Sequence, residues 1–213
     1  MKHNYLREQI ISTVRRFAPE GLGVGTSGNL STRTDHGFLI TPTGVAYEQL
    51  LPADIVELND DGQIISGTLK PSSEWRFHCD IYRCREEVNA IVHVHSPYAT
   101  ALACTRQDIP AFHYMVARAG GDSIRCADYA TFGTQALSEN VVKALVDRHA
   151  CLLANHGMIA VGKNIASAFA LTQEVEELAR QYILSKQAGS PVLLDEEEMR
   201  INLEKFKTYG SNV

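Results

Sequence analysis

Three histidines are the residues of this sequence best suited to chemistry. His93 and His95 occupy alternate positions of the apolar run Ala90–His95, and His156 ends a second apolar run. In a strand, residues two apart point to the same face, and leaving buried imidazoles unpaired costs on the order of 1 to 3 kcal/mol each. Three neutral imidazoles with an open fourth position are typical of a catalytic zinc. The alternative is a pair of hydrogen-bonded core histidines, which His156 makes less favourable.

Glu74 is the carboxylate that could complete such a site. It follows Pro71-Ser72-Ser73 and lies in the first turn of a predicted helix from about Ser73 to Arg85. An acid in this position is ordinarily stabilised by the helix dipole, by about 0.3 to 1 kcal/mol. The functional interpretation makes it either a fourth zinc ligand or a base beside the metal, and spacing alone leaves both open.

The segment Gly23–Gly28 matches the dinucleotide-binding fingerprint by letter. That fingerprint requires a strand before it and a helix after it, where the pyrophosphate binds. Here the predicted order is reversed, with a helix before the glycines and a strand after them. The sequence therefore argues against a nicotinamide cofactor.

The same glycine segment belongs to a set of three polar loops that could bind an anion. Glycines let backbone N–H groups approach an oxygen, and short hydroxyl or amide side chains add further donors. Each loop alone is more simply a turn or a helix cap, but Ser72 and Ser73 also lie at a helix N-terminus, which favours anions. Together the three loops, Gly23–Asn29, Thr41–Gly44 and Pro71–Glu74, predict a phosphate site, in which Thr26, Ser27 and Asn29 add polar donors.

Composition excludes several classes of protein. The chain has 213 residues with a net charge of -5, and its scattered basic residues form no stripe for nucleic acid. It has no signal-like apolar segment and no apolar stretch approaching 18 residues, so we expect a cytoplasmic protein without a membrane anchor. The five cysteines include no Cys-x-x-Cys pair, which argues against disulfides and a thiolate zinc cage. No linker divides the chain, so we expect one domain over residues 1–213.

Hydrophobic periodicity predicts a fold of mixed α and β elements. Two hairpins, turning near Asp35-His36-Gly37 and near Asn59-Asp60-Asp61-Gly62, indicate antiparallel strands. The fold class is therefore α/β of the α+β type, with helices on both faces of a mainly antiparallel mixed sheet. The predicted helices are a first helix ending near Pro19, then Ser73–Arg85, Tyr98–Cys104, Gln135–Arg148, Ile165–Gln187 and Asp195–Phe206. The predicted strands are Asn29–Arg33, Phe38–Thr41, Ile55–Leu58, Gln63–Ser66, the histidine strand, one near Ala111–Val116 and two that meet at His156.

The chain resembles the class II aldolase and adducin head family over nearly its whole length. The motifs that carry the resemblance are Gly25-Thr26-Ser27-Gly28-Asn29-Leu30-Ser31, Thr41-Pro42-Thr43-Gly44, Pro71-Ser72-Ser73-Glu74-Trp75-Arg76-Phe77-His78, His93-Val94-His95, Ile109-Pro110-Ala111-Phe112-His113-Tyr114-Met115, Tyr129-Ala130-Thr131-Phe132-Gly133-Thr134, Asn155-His156-Gly157 and Glu204-Lys205-Phe206-Lys207-Thr208-Tyr209-Gly210.

The resemblance implies an αβα sandwich of three layers and a homotetramer with active sites between subunits. It implies one Zn²⁺ per subunit, held by His93, His95 and His156, with Glu74 as a ligand or catalytic acid/base. It also implies that Tyr114 is a proton donor reaching across the interface, and that Tyr209 lies on a mobile C-terminal tail, from about residue 207, that covers the site. The phosphate-binding residues that it implies are Thr26, Gly28, Asn29, Thr43, Gly44, Ser72 and Ser73.

The activity that the resemblance implies is reversible cleavage of a ketose 1-phosphate to dihydroxyacetone phosphate and an aldehyde. L-Fuculose 1-phosphate, which would give L-lactaldehyde, is the first candidate substrate, and deoxyribulose and methylthioribulose phosphates are alternatives. A sugar-phosphate epimerase or dehydratase, a zinc hydrolase and an adducin-like binding module remain as rivals. A Schiff-base aldolase would need a lysine in an apolar pocket, and every candidate lysine falls on an amphipathic helical stretch or a turn.

Overall fold

The protein is built around one eight-stranded sheet, described here from a computed structural model covering residues 2–208. The strand order is β4-β3-β2-β1-β5-β8-β7-β6. Every neighbouring pair is antiparallel except β6 and β7. The mainly antiparallel sheet predicted from the hairpins is thereby confirmed. The strands are β1 Asn29–Thr34, β2 Gly37–Ile40, β3 Val56–Leu58, β4 Ile64–Ser66, β5 Ala90–Val94, β6 Arg125–Ala127, β7 Ala150–Leu153 and β8 Gly157–Gly162.

Helices cover both faces of the sheet, which makes three layers. The α-helices are α1 Asn4–Val14, α2 Trp75–Cys84, α3 Pro97–Cys104, α4 Gln135–Ala144, α5 Ile165–Ala188 and α6 Glu196–Thr208, and short 3-10 helices span Tyr47–Gln49, Pro52–Asp54 and Tyr114–Ala119. Residues of α1, α3, α5 and α6 pack in one apolar cluster on one face. Residues of α2 and α4 pack in a second cluster on the other. The predicted αβα arrangement is confirmed.

The strand β5 shows how the two faces are divided. Val92 and Val94 belong to the cluster under α1, α3 and α5, whereas Ile91 belongs to the cluster under α2 and α4. Since side chains alternate along a strand, His93 shares the face of Ile91 and lies beside Phe77 of α2, with ring centroids 5.6 Å apart. The central strand thus points its histidine toward the N-terminal end of α2.

The strand predicted near Ala111–Val116 is wrong. The chain turns at Pro110, whose carbonyl accepts the N–H of Phe112, and a 3-10 helix begins at Tyr114. The His113 ring caps this helix, because its Nδ1 accepts the N–H of Met115. Local capping therefore overrides the strand preference of the aromatic residues. The short strand β6, by contrast, was not predicted.

Helix ends differ from the predictions by a few residues. The helix predicted to reach Arg148 ends at Ala144, before Asp147 adopts a left-handed conformation with φ of 55°. The last helix continues through Thr208, so the predicted tail begins within helix, and its remainder lies outside the described residues. No helix among residues 2–208 is both long enough and apolar enough to cross a membrane.

Candidate active site

Strand pairing brings the three histidines together. His93 is in β5, His95 follows the end of β5, and His156 lies in the turn between β7 and β8. Because β5 pairs directly with β8, with His93 opposite Ile159, this turn lies beside the end of β5. The three ring centroids are 4.8 to 4.9 Å apart. The three histidines predicted as metal ligands therefore form one compact group.

Hydrogen bonding orients the His93 ring toward the other two. Its Nδ1 lies 2.9 Å from the backbone carbonyl of Met158, and because a carbonyl only accepts, Nδ1 must carry the proton in that contact. Nε2 then faces His95 Nε2 at 3.0 Å. Ligand atoms of the three histidines all lie within 4.8 Å of one another. A backbone contact that fixes the tautomer of a metal-binding histidine is a common feature of metal sites.

Gly157 allows this close approach of the rings. A Cβ at this position would lie 2.5 Å from the Val94 carbonyl oxygen and 2.9 Å from Cδ2 of His95. Both contacts are shorter than real Cβ atoms make, so only glycine fits after His156. Packing around the histidines thus requires glycine at position 157.

Glu74 adds a carboxylate oxygen as the fourth donor, beside the three histidine nitrogens. Its Oε2 lies 3.2 Å from His93 Nε2, and its Oε1 lies 3.2 Å from His156 Nε2. The residue is 6% exposed, and Oε1 has no hydrogen-bond partner of acceptable geometry. A buried carboxylate oxygen without a donor is costly, and a cation among the three imidazoles would remove that cost. The donor set of three nitrogens and one oxygen fits Zn²⁺.

Electrostatics keep this carboxylate ionised. Burial alone would raise the pKa of Glu74, but His93 and His156 outweigh burial and hold the pKa well below its usual range. Burial and the neighbouring His93 and His156 rings lower the pKa of His95 to about 4. His95 is therefore a neutral imidazole at physiological pH, the form in which histidine binds metals.

Glu74 immediately precedes α2, which begins at Trp75, so the predicted position inside the first turn is off by a residue or two. The N–H of Glu74 donates to Ser72 Oγ at 3.3 Å. The N–H of Ser72 in turn donates to the Thr41 carbonyl at 3.0 Å. These bonds join the loop before α2 to the loop after β2.

The seven residues predicted to bind phosphate all line one cavity of about 300 Å³. Glu74, His95 and His156 line the same cavity, so the metal-type donors and the three polar loops face a common space. No lysine or arginine is among the described residues that line it. Any phosphate bound there would be held by hydroxyl, amide and backbone N–H donors.

The glycine loop is held against β5. Gly28 has a φ of 106°, and a Cβ on it would lie 2.8 Å from the His93 carbonyl oxygen. The hydroxyl of Tyr47 donates to the Gly28 carbonyl at 2.8 Å. Sequence reasoning did not find Tyr47, because no local signal connects it to a loop about twenty residues earlier.

Several cavity residues were not predicted as binding residues. Tyr129 and Phe132 lie at the cavity and are 53% and 64% exposed. The signal in the sequence is a pair of aromatic side chains in a turn-rich segment. The others are Pro42, Ala130 and Asn155, whereas Ser27, which also lines the cavity, was predicted as a polar donor of the glycine loop.

The two tyrosines predicted to be catalytic are not brought to this cavity by the described part of one chain. Tyr114 is 47% exposed at the start of its 3-10 helix. Its ring stacks on Phe206 of α6, with centroids 6.3 Å apart, and it does not line the cavity. Tyr209 lies outside the described residues.

Comparison with known proteins agrees with the geometry. Residues 8–183 match the model of the class II aldolase and adducin N-terminal domain. The chain is 52% identical to the 5-methylthioribulose-1-phosphate/5-deoxyribulose-1-phosphate aldolase of Rhodospirillum rubrum, across 97% of this chain and 93% of that one. It is 48% identical to the L-fuculose phosphate aldolase of Escherichia coli strain K12, across 100% of this chain and 99% of that one.

A solved structure of an L-fuculose 1-phosphate aldolase superimposes with a TM-score of 0.94 at 41% identity, covering 97% of this chain and 98% of the other. Fold, motif positions and sequence identity lead to the same result. The chain belongs to the class II aldolase and adducin family.

Proposed function

We propose that the protein is a zinc-dependent class II aldolase that cleaves a 5-deoxyketose 1-phosphate to dihydroxyacetone phosphate and an aldehyde. The observation that carries this proposal is the shared cavity, in which Glu74 and two members of the histidine group, His95 and His156, face the same space as three polar loops free of lysine and arginine. The histidines and Glu74 suit a metal that stabilises negative charge on oxygen. The polar loops suit a phosphate.

The choice of substrate rests on the relatives. The relative named for methylthioribulose and deoxyribulose phosphates is 52% identical over 97% of the chain, and the fuculose phosphate aldolase is 48% identical over 100%. Deoxyribulose or methylthioribulose 1-phosphate, the alternative at the sequence level, therefore becomes the first candidate. L-Fuculose 1-phosphate, the first expectation from the sequence, becomes the second. All three would release dihydroxyacetone phosphate and differ only in the aldehyde.

The chemistry of cleavage assigns roles to the residues of the cavity. Zinc bound by His93, His95 and His156 would supply a Lewis acid that stabilises the negative charge developing on the carbonyl and neighbouring hydroxyl oxygens. The polar loops would bind the phosphate and so orient the bond that breaks between C3 and C4. Its electron pair passes to C3, and the C4 hydroxyl loses its proton as the aldehyde forms.

Glu74 would act at C3. It would deliver the proton that converts this carbon into the hydroxymethyl group of dihydroxyacetone phosphate, and remove that proton in the reverse reaction. Its depressed pKa keeps it an ionised base before condensation. Tyr114 would exchange the proton of the aldehyde oxygen at the other end of the substrate.

The position of Tyr114 outside the cavity supports an assembled enzyme. We propose a homotetramer in which Tyr114 belongs to the active site of a neighbouring subunit, and in which Tyr209 lies on a mobile tail over the site. In the same proposal each subunit is one domain, residues 1–213, with one Zn²⁺. An exposed tyrosine that one chain leaves unused at its own site is consistent with this arrangement.

Release of dihydroxyacetone phosphate from three ketose 1-phosphates tests the proposal. The panel contains 5-deoxyribulose, 5-methylthioribulose and L-fuculose 1-phosphates, with a coupled reductase reporting the product. We expect the first two to have the higher kcat/KM. Failure to release dihydroxyacetone phosphate from all three would reject the proposal in favour of an epimerase, a dehydratase, a hydrolase or a binding module.

A further inference from the structure

A buried row of polar side chains leads from Glu74 into the interior, away from the cavity. Asn29 Nδ2 donates to Glu74 Oε2 at 3.0 Å, and Asn29 Oδ1 lies 2.5 Å from His78 Nε2. His78 Nδ1 is 2.7 Å from Ser31 Oγ, which is 2.7 Å from the hydroxyl of Tyr82. All five residues are at least nine-tenths buried.

The row follows from the register of two elements. His78 and Tyr82 are four residues apart and share one face of α2, and Glu74, the residue just before the helix, continues the same spacing. Asn29 and Ser31 are two residues apart and share one face of β1. Where the helix face meets the strand face, the five side chains alternate, and each polar atom along the row has a partner from the opposite element.

The ionised carboxylate of Glu74, at one end of the row, fixes the direction of every hydrogen bond in the row. An ionised carboxylate only accepts, so Asn29 must turn its NH₂ group toward Glu74 and its carbonyl toward His78. His78 then donates from Nε2 and accepts at Nδ1, where Ser31 donates its hydroxyl proton. Burial and the nearby His93 lower the pKa of His78 to about 3, so this ring is neutral and has one donor and one acceptor.

We propose that His78 is a positioning residue that holds the Asn29 amide in one orientation and, through it, holds Glu74 in place. The proposal rests on the proposed function, in which Glu74 carries the proton at C3. Asn29 also lines the cavity, and only one of its two amide hydrogens is used by Glu74. With the amide held this way the second hydrogen remains for a phosphate oxygen. A flipped amide would instead present its carbonyl to the carboxylate, which is repulsive.

Three substitutions at His78 separate this role from packing. His78→Gln keeps an amide donor at about the reach of Nε2, His78→Asn keeps an amide only at about the reach of Nδ1, where its oxygen can accept from Ser31, and His78→Phe keeps the ring that stacks on Phe77. Loss of a residue that supports a site group typically costs about 10- to 100-fold in activity. We expect this loss in kcat for His78→Asn and His78→Phe, and substantial rescue in His78→Gln.

The opposite order would overturn the proposal. If His78 only packs, His78→Phe should be the most active variant, and His78→Gln and His78→Asn should be equally impaired. Zinc content and the urea midpoint are measured for each variant. The same three substitutions at His36, exposed in the turn between β1 and β2, serve as controls and should leave kcat unchanged.

A second readout does not depend on activity. Long-range ¹H–¹⁵N spectra of the full-length zinc-loaded protein with isotope-labelled histidine, assigned through correlations to the wild-type backbone signals, should show His78 as the neutral Nε2–H tautomer. The Nδ1–H tautomer or an imidazolium would overturn the proposal, even if no variant folds. If the wild-type protein releases no dihydroxyacetone phosphate but shows the Nε2–H tautomer, the proposed function fails while the orientation of Asn29 stands.

Discussion

The two ends of the cavity differ in how firmly their residues are held. At the metal end, formed by the three histidines and Glu74, His93 is fully buried and Glu74 nearly so, and both are hydrogen-bonded to groups on strands. In the rest of the cavity lining, Tyr129 and Phe132 are more than half exposed, and the expected proton donor Tyr114 does not line the cavity of its own chain. In the proposed mechanism one chain supplies all residues of the metal end, whereas a neighbouring subunit supplies Tyr114 for the aldehyde. We therefore expect substrate differences among relatives to arise from the exposed residues.

Removal of the metal should have the largest effect on activity, because the proposed mechanism depends on the Lewis acid held at the metal end. Dialysis against a chelator should abolish release of dihydroxyacetone phosphate, and added Zn²⁺ should restore it. Borohydride added with substrate should trap no covalent adduct, since no lysine lines the described part of the cavity. Full activity of zinc-free protein, verified by metal analysis, would remove the metal end from the mechanism.

Glu74→Gln should have the next largest effect. The amide keeps the shape of the side chain but no longer exchanges a proton, so cleavage and solvent proton exchange into dihydroxyacetone phosphate should both fall by about 10² to 10⁴. Binding of dihydroxyacetone phosphate, measured by calorimetry, should persist because the loops are intact. Unchanged exchange would reduce Glu74 to a structural or ligand role.

Tyr114→Phe should have a large effect on one step only. The ring can still stack on Phe206, so folding and zinc content should be retained. Cleavage should fall by about 10² to 10⁴ through loss of one positioned proton donor, while proton exchange into dihydroxyacetone phosphate stays close to wild type. Equal loss of both would place Tyr114 at the metal end, and no loss would return it to packing.

The smallest expected effect is a pH dependence of stability that arises from the buried His78. The pKa of His78 is lowered from 6.5 to about 3 in the folded protein, so between these values only the unfolded chain takes up the proton. Stability should therefore fall as pH drops below about 6.5, by at most about 1.4 kcal/mol per pH unit from this residue. Urea titrations of wild type and His78→Gln should differ in slope above pH 4.5. The exposed control His36→Gln should show the wild-type slope.

The same contrast explains what could be predicted from the sequence. His93 and His95 were found because a strand converts a spacing of two into a shared face, a rule that needs no tertiary information. The polar loops were predicted because glycine, proline and short polar residues are typical of turns. Their convergence was supported by the family motifs, and the structure accounts for it through bonds between distant segments such as Ser72 to Thr41.

What the sequence did not predict depends on contacts between distant segments or on competing local bonds. Tyr47 and His78 contact loops and strands far from them in the chain. The residues next to them in the sequence therefore do not indicate a role. The segment around Tyr114 has the composition of a strand, but the His113 ring caps a 3-10 helix instead. In both cases the deciding interaction is a side-chain hydrogen bond whose partner cannot be identified from hydrophobic periodicity.

The absence of lysine and arginine from the described cavity lining has a consequence for how substrate is captured. A phosphate held by hydroxyl and amide dipoles forms no ion pair with lysine or arginine. A chain of net charge -5 also offers no long-range attraction to an anion. The Zn²⁺ of the proposed function would then be the main attractive charge that the described cavity lining offers to an anionic substrate. Because this charge acts at short range inside the cavity, salt should weaken substrate binding only modestly.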